Sequence, residues 1–205
     1  PGGGRHVLRA GGGRAGQRGV RRRGAAVGAA QAINGWTPLH CACVWGHHLT
    51  ASALLAAGAA VDAVTSDASH STPLLLASDR GHVECVKALL SAGANADVAQ
   101  ANNGWTSLHS ACFYGHHLVA SALVAAGATL NAVTTDAFHC TPLLFASQEG
   151  RVECVRVLLN AGANPNAARA NDGWTSLHLA SFFGHHHLIY CKATGGINND
   201  YVLIF

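Results

Sequence analysis

Methionine is missing from all 205 residues, the first included, so the chain reads as a fragment or as a reading frame with an uncertain start. Its opening residues lack the apolar central region of a secretory signal. No uninterrupted apolar run reaches about 18 residues, which excludes a membrane-spanning helix. Charge is scarce at 11% and aromatics at 6%, although nearly half the chain is hydrophobic. Alanine supplies much of that apolar fraction, so helices formed here can pack closely. The seven cysteines are odd in number and lack the close, even spacing of a disulfide scaffold. Cys43 and Cys112 recur 69 residues apart, as do Cys85 and Cys154, each in the place of a small apolar side chain. That pattern implies reduced thiols and an intracellular compartment, cytoplasmic or nuclear.

Acidic residues are absent from residues 1–23, which hold seven of the 13 basic ones. The rest of the chain has six basic and ten acidic side chains, a net of −4. The Gly/Arg-rich segment has no apolar period and reads as a disordered tail, unable to offset the entropy of ordering. It also has no interleaved Phe or Tyr to stack on bases, so nucleic-acid binding through it is only a weak alternative to a low-complexity end.

What is present is a period. Trp36-Thr37-Pro38-Leu39-His40 returns as Trp105-Thr106-Ser107-Leu108-His109 and as Trp174-Thr175-Ser176-Leu177-His178. Thr72-Pro73-Leu74-Leu75 and Thr141-Pro142-Leu143-Leu144 fall between them, so the threonines step by 35, 34, 35 and 34 residues. Within one unit, Thr72 can cap a helix whose first position is Pro73, and Gly81 stops it. Val83, Val86, Leu89 and Leu90 then share one face of a second helix, which Gly93 ends. A polar stretch leads to the next threonine. Such a helix–turn–helix–loop unit buries its apolar face only against its neighbours.

Thr72-Pro73-Leu74-Leu75-Leu76-Ala77, Gly81-His82-Val83-Glu84-Cys85-Val86, Leu89-Leu90 and Gly93-Ala94 resemble the ankyrin repeat. The resemblance covers about residues 24–190 and implies an all-α solenoid of stacked helix-turn-helix units joined by β-hairpin-like loops. Repeats start near Trp36, Ser71, Trp105, Cys140 and Trp174. Residues 24–35 read as the trailing loop of a repeat whose helices lie upstream, and residues 191–205 as a non-repeat C-terminal tail. Each unit is one or two residues longer than the usual 33. The extra length falls in loops such as Ser66–Ser71 and Thr135–Cys140, which lack the usual Gly, so less regular tips are expected there. Odd and even units alternate with a 69-residue period, as a duplicated two-repeat block would.

Fourteen histidines suggest metal, but His47-His48, His116-His117 and His185-His186-His187 lie two units apart, on the order of 20 Å. They cannot share an ion, and a structural hydrogen bond is the role the resemblance gives the first of each. His40 with Cys43, and His109 with Cys112, face the same way on a helix as a base and nucleophile would. His178 is matched by Ser181, however, and no third orienting group accompanies the pairs. The motif His is expected to bond backbone instead. The Gly-rich start has no Gly-Lys-Ser/Thr ending and is no phosphate loop. No catalytic residue, metal or other cofactor is assigned.

The resemblance places the two residues before each Gly-His turn toward the concave groove, where partners bind. Here those pairs are Val44-Trp45, Asp79-Arg80, Phe113-Tyr114, Gln148-Glu149 and Phe182-Phe183. Odd units present aromatics and even units polar or charged groups, and Trp36, Trp105 and Trp174 add a ring before each odd threonine. The expected function is therefore a monomeric scaffold that binds another protein, with rings as anchors and no catalysis. The expected contact residues are Trp36, Trp45, Asp79, Arg80, Trp105, Phe113, Tyr114, Gln148, Glu149, Trp174, Phe182 and Phe183. The alternative is the targeting segment of a larger enzyme or ubiquitin-ligase adaptor.

Overall fold

The computed structural model describes residues 34–185. The tail at 1–23, most of the trailing loop expected over 24–35, and the stretch from 186 onward lie outside the described residues. So do His186, His187 and the expected end of the last unit.

Among the described residues nine helices follow one another: α1 Pro38–Val44, α2 His48–Ala56, α3 Pro73–Asp79, α4 Val83–Ser91, α5 Ser107–Tyr114, α6 His117–Ala125, α7 Pro142–Gln148, α8 Val152–Asn160 and α9 Ser176–Phe182. They form the all-α solenoid that the repeat implies. The first helices α1, α3, α5, α7 and α9 pack in series, and the second helices α2, α4, α6 and α8 form a second layer behind them. Each first helix starts on an extended threonine: Thr37, Thr72, Thr106, Thr141 or Thr175. Proline occupies the first turn of α1, α3 and α7, where its missing N–H has no helical partner to lose.

Leu39, Leu74, Leu108 and Leu143, one from each successive first helix, are fully buried in one continuous core. Each contributes about 2 kcal/mol on removal from water. Cys85, Val86 and Leu89 of α4, and Cys154, Val155 and Leu158 of α8, close the core from the second layer.

The tips without glycine are more regular than their composition implies, and identical in both copies. Thr65 Oγ1 accepts the Ser71 N–H at 2.9 Å and donates to Asp67 at 2.8 Å; Thr134 Oγ1 accepts the Cys140 N–H at 2.9 Å and donates to Asp136 at 2.9 Å. Asp67 then accepts the N–H groups of Ser69 and His70, and Asp136 those of Phe138 and His139. These bonds hold His70 and His139 at φ 47°, so a fixed Asp turn performs the task of the missing Gly. Successive loops are tied together as well: Ser66 N–H donates to the Asn34 carbonyl and Thr135 N–H to the Asn103 carbonyl, each at 2.9 Å. Strands do not form among the described residues, and Ala168 with Thr175 makes an isolated bridge.

Thr134 is fully buried, so Thr134→Val strands the Cys140 N–H and should destabilise the fold by about 1–3 kcal/mol in urea unfolding. An unchanged midpoint would show that the turn stands without this bond.

Candidate functional site

The motif histidines tie odd units to even ones. Thr37 N–H donates to His40 Nδ1 at 3.0 Å, and the Thr37 hydroxyl lies 2.8 Å from the same atom. With Nδ1 accepting, Nε2 carries the proton, and it donates to the Ser71 carbonyl of the next unit at 3.1 Å. His109 repeats this with Thr106 at 3.2 and 2.9 Å and the Cys140 carbonyl at 3.1 Å. Both rings are fully buried. Burial lowers the His40 pKa and brings that of His109 down to about 4, despite the carbonyl bonds that oppose it. The His40–Cys43 pair is therefore no base and nucleophile: both ring nitrogens are engaged. Burial, then the neighbouring Cys85 thiol, push the Cys43 thiol up to about 12.

A second set of side chains reaches back to the preceding unit. His82 Nε2 donates to the Val44 carbonyl and His116 Nε2 to that of Asp79, both at 3.1 Å, and His185 Nε2 to that of Gln148 at 2.8 Å. In the fourth unit Arg151 takes this place, its Nε donating to the Phe113 carbonyl at 3.1 Å. His116 and His185 thus have the structural role expected of them. Among the described residues no three His, Cys, Asp or Glu side chains converge as metal ligands would.

The aromatic residues gather in two clusters. Trp105 lies 5.4 Å from Phe113 and 4.8 Å from Phe145, and Phe113 lies 5.1 Å from Tyr114. Trp174 lies 5.0 Å from Phe182, which lies 5.2 Å from Phe183. Trp36, Trp105 and Trp174 are half-buried, each over its own motif His at 6.2, 6.3 and 6.4 Å. The rings before each turn stand further out, with Trp45 71% exposed and Tyr114 and Phe183 each 48%. Phe182 and Arg80 are exposed, whereas Asp79, Phe113, Gln148 and Glu149 are half-buried. Burial raises the Asp79 carboxyl pKa, while the Ser110 hydroxyl, Arg80 and His116 pull it back. Trp45 makes no ring contact among the described residues, so the first unit lacks the cluster seen in the third.

Sequence reasoning missed Phe145, which closes the third unit's cluster from the fourth. Its signal was the difference between Thr-Pro-Leu-Leu-Phe and Thr-Pro-Leu-Leu-Leu in the two even units. It also missed Arg169, which stands where Gln31 and Gln100 stand earlier. Arg169 lies over the rings of Phe138 and Trp174 at 5.6 and 5.3 Å and pairs with Asp172 at 2.5 Å.

Comparison with known families agrees with this register. The profile for Ankyrin repeats (3 copies) matches residues 61–134 and 131–191, and that for a single Ankyrin repeat matches 34–66. The chain belongs to the ankyrin-repeat family. Ankyrin repeats are protein-interaction modules without catalysis of their own. Curated relatives include the glycerophosphocholine phosphodiesterase gde1 of Schizosaccharomyces pombe, 36% identical over 44% of this chain and 8% of its own length. Ankyrin repeat and SOCS box protein 3 of Bos taurus is 34% identical over 51% of the chain and 26% of its own length. Transient receptor potential cation channel subfamily A member 1 of Drosophila melanogaster is 33% identical over 62% and 11%. The chain thus spans about a quarter or less of the curated relatives it matches, and these repeats accompany unlike activities. None of the helices among the described residues is long and apolar enough to cross a membrane.

Proposed function

We propose that the 24–190 body binds a partner protein through its concave face, using the rings that precede the turns. The observation that carries this reading is the equivalent, exposed placement of Trp45, Tyr114 and Phe183 in units one, three and five. Exposed aromatic rings on a stack ordered before binding are typical anchors, since little freedom is lost on association. Phe113, Phe182, Asp79, Arg80, Gln148 and Glu149 flank them. Trp36, Trp105 and Trp174, packed over their histidines, form the floor of the same surface. Six free cysteines among the described residues fit a reducing compartment.

The test is capture of interacting proteins on the full chain, compared with Tyr114→Ala/Phe183→Ala and with Glu153→Ala on the second layer. The double variant should weaken a captured partner's binding at least about tenfold, roughly two anchors of a kcal/mol each, with the helical circular dichroism unchanged. Glu153→Ala should leave it alone. A partner that binds all three alike rejects the concave face.

A second reading rests on the relatives, in which matching repeats are a minor part of a much longer protein. In it the array is the targeting segment of a larger enzyme or ligase adaptor. Sequencing the surrounding transcript decides: a frame that continues into a catalytic or adaptor domain supports it, and flanking stop codons reject it.

A further inference from the structure

The residue just before each turn is Trp45, Arg80, Tyr114, Glu149 and Phe183 in the five successive units. These positions end consecutive first helices that pack in series, so the five side chains form one row. The row alternates ring, cation, ring, anion, ring. Neither Arg80 nor Glu149 takes part in an ion pair among the described residues; Glu149 accepts only the Gln148 amide at 3.2 Å. The Asp79 carboxylate beside Arg80 is half-buried, with the Ser110 hydroxyl as its partner. Both charges are therefore available to a ligand, and they are opposite in sign.

The step along the row selects the backbone that can follow it. Packed helices stand about 8–10 Å apart, which sets the spacing of equivalent side chains. A β-strand repeats a face every two residues, roughly 6.6–6.8 Å, which is too short, and every four, roughly 13 Å, which is too long. An α-helix repeats a face every seven residues, about 10.5 Å, and over four steps overshoots by at least about 2 Å. A polyproline II segment turns once in three residues at about 3.1 Å each, close to 9.3 Å, inside the range. Its rigid, hydrogen-bond-free backbone also suits a surface lined with rings.

We propose that the partner of this face is a polyproline II segment of about 13 residues. Every third side chain meets one unit, in the order apolar, acidic, apolar, basic, apolar. The acidic side chain faces Arg80, the basic one faces Glu149, and the three apolar ones lie on Trp45, Tyr114 and Phe183. The inference rests on the groove reading above and gives it a charge order and a spacing.

Three synthetic, fluorescently labelled peptides test it against the full chain by anisotropy. Each has leucine at the first, seventh and thirteenth positions and proline elsewhere, with charges at the fourth and tenth: glutamate and lysine, two glutamates, or two lysines. The mixed peptide should bind about five- to tenfold more tightly than either like-charged one, lying in the direction that sets its glutamate on Arg80 and its lysine on Glu149. Arg80→Glu should move the preference to the two-lysine peptide, and Glu149→Lys to the two-glutamate peptide. Both sites lie on the surface, and circular dichroism confirms that the variants fold. Equal binding of all three peptides overturns the inference, as does no binding at millimolar concentration. So does tighter binding by a helical peptide with the same five side chains at seven-residue steps. Those outcomes leave the groove reading standing, because that reading fails only if partner capture ignores Tyr114→Ala/Phe183→Ala.

Discussion

Acidification from pH 6.5 to 4 should cost the folded array about 3 kcal/mol through His109 alone, and His109→Leu should remove most of that dependence. In the fold, burial holds the His109 pKa near 4, whereas an unfolded histidine titrates near its ordinary 6.5. Above pH 6.5 both states are neutral and the full stability is present. As the pH falls through this window the unfolded chain takes up a proton that the folded ring refuses, so stability declines until about pH 4. His40, also lowered by burial, acts in the same direction. Asp79 opposes them, since a carboxyl raised by burial gains relative stability on protonation. Asp67, which sits below the usual carboxylate range chiefly through the Ser69 hydroxyl, loses stability only at lower pH. Leucine fits the site by shape, because Leu75 and Leu144 hold the same place in the even units. Urea unfolding at half-unit pH steps measures the effect. A flat profile, or one that His109→Leu leaves as steep, would contradict the buried neutral ring.

Gly81→Ala should destabilise the array by about 3–4 kcal/mol, whereas Gly127→Ala should cost only about 1–2. Both glycines have positive φ, 72° and 87°, so each alanine meets backbone strain of roughly 1–2 kcal/mol. They differ in what surrounds them. A Cβ on Gly81 would lie 2.6 Å from His116 Nδ1, and one on Gly127 would meet nothing within 4 Å. The His116 ring cannot swing aside cheaply, because its Nε2 is bonded to the Asp79 carbonyl. Either that bond breaks or units two and three separate, and overpacking of this kind adds about 1–3 kcal/mol. Thermal and urea unfolding of the two variants side by side gives the comparison. Equal losses would mean that the ring does not rest on Gly81 in solution.

The architecture was legible because its signals are local and repeated. A threonine, a following proline or serine and a closing glycine fix each first helix before any tertiary contact is considered. The tips were misjudged because glycine was taken as the only route to a left-handed turn. Thr65 with Asp67, and Thr134 with Asp136, supply the hydrogen bonds that hold a histidine there instead. At the surface, the sequence separated ring-bearing units from charged ones but could not rank the rings. Trp105 and Tyr114 look alike as candidates, yet the fold sets the first among Phe113 and Phe145 and leaves the second open. That distinction depends on Phe145, which reaches over from the neighbouring unit and therefore belongs to no pattern within the third.

The two inter-unit links built from His40 and His109 fall at the same interfaces as the buried thiol neighbours Cys43 with Cys85 and Cys112 with Cys154. Both kinds of link begin in an odd unit and end in the even unit after it. By these two links the array is a train of two-unit blocks, and His116 and His185 join one block to the next. A gene that lengthens or shortens this protein in whole 69-residue steps keeps every closure intact. One that adds a single unit sets two like units side by side, a junction that does not occur among the described residues, where odd and even units alternate. Growth by 69 residues is the step that reuses only junctions the array already contains.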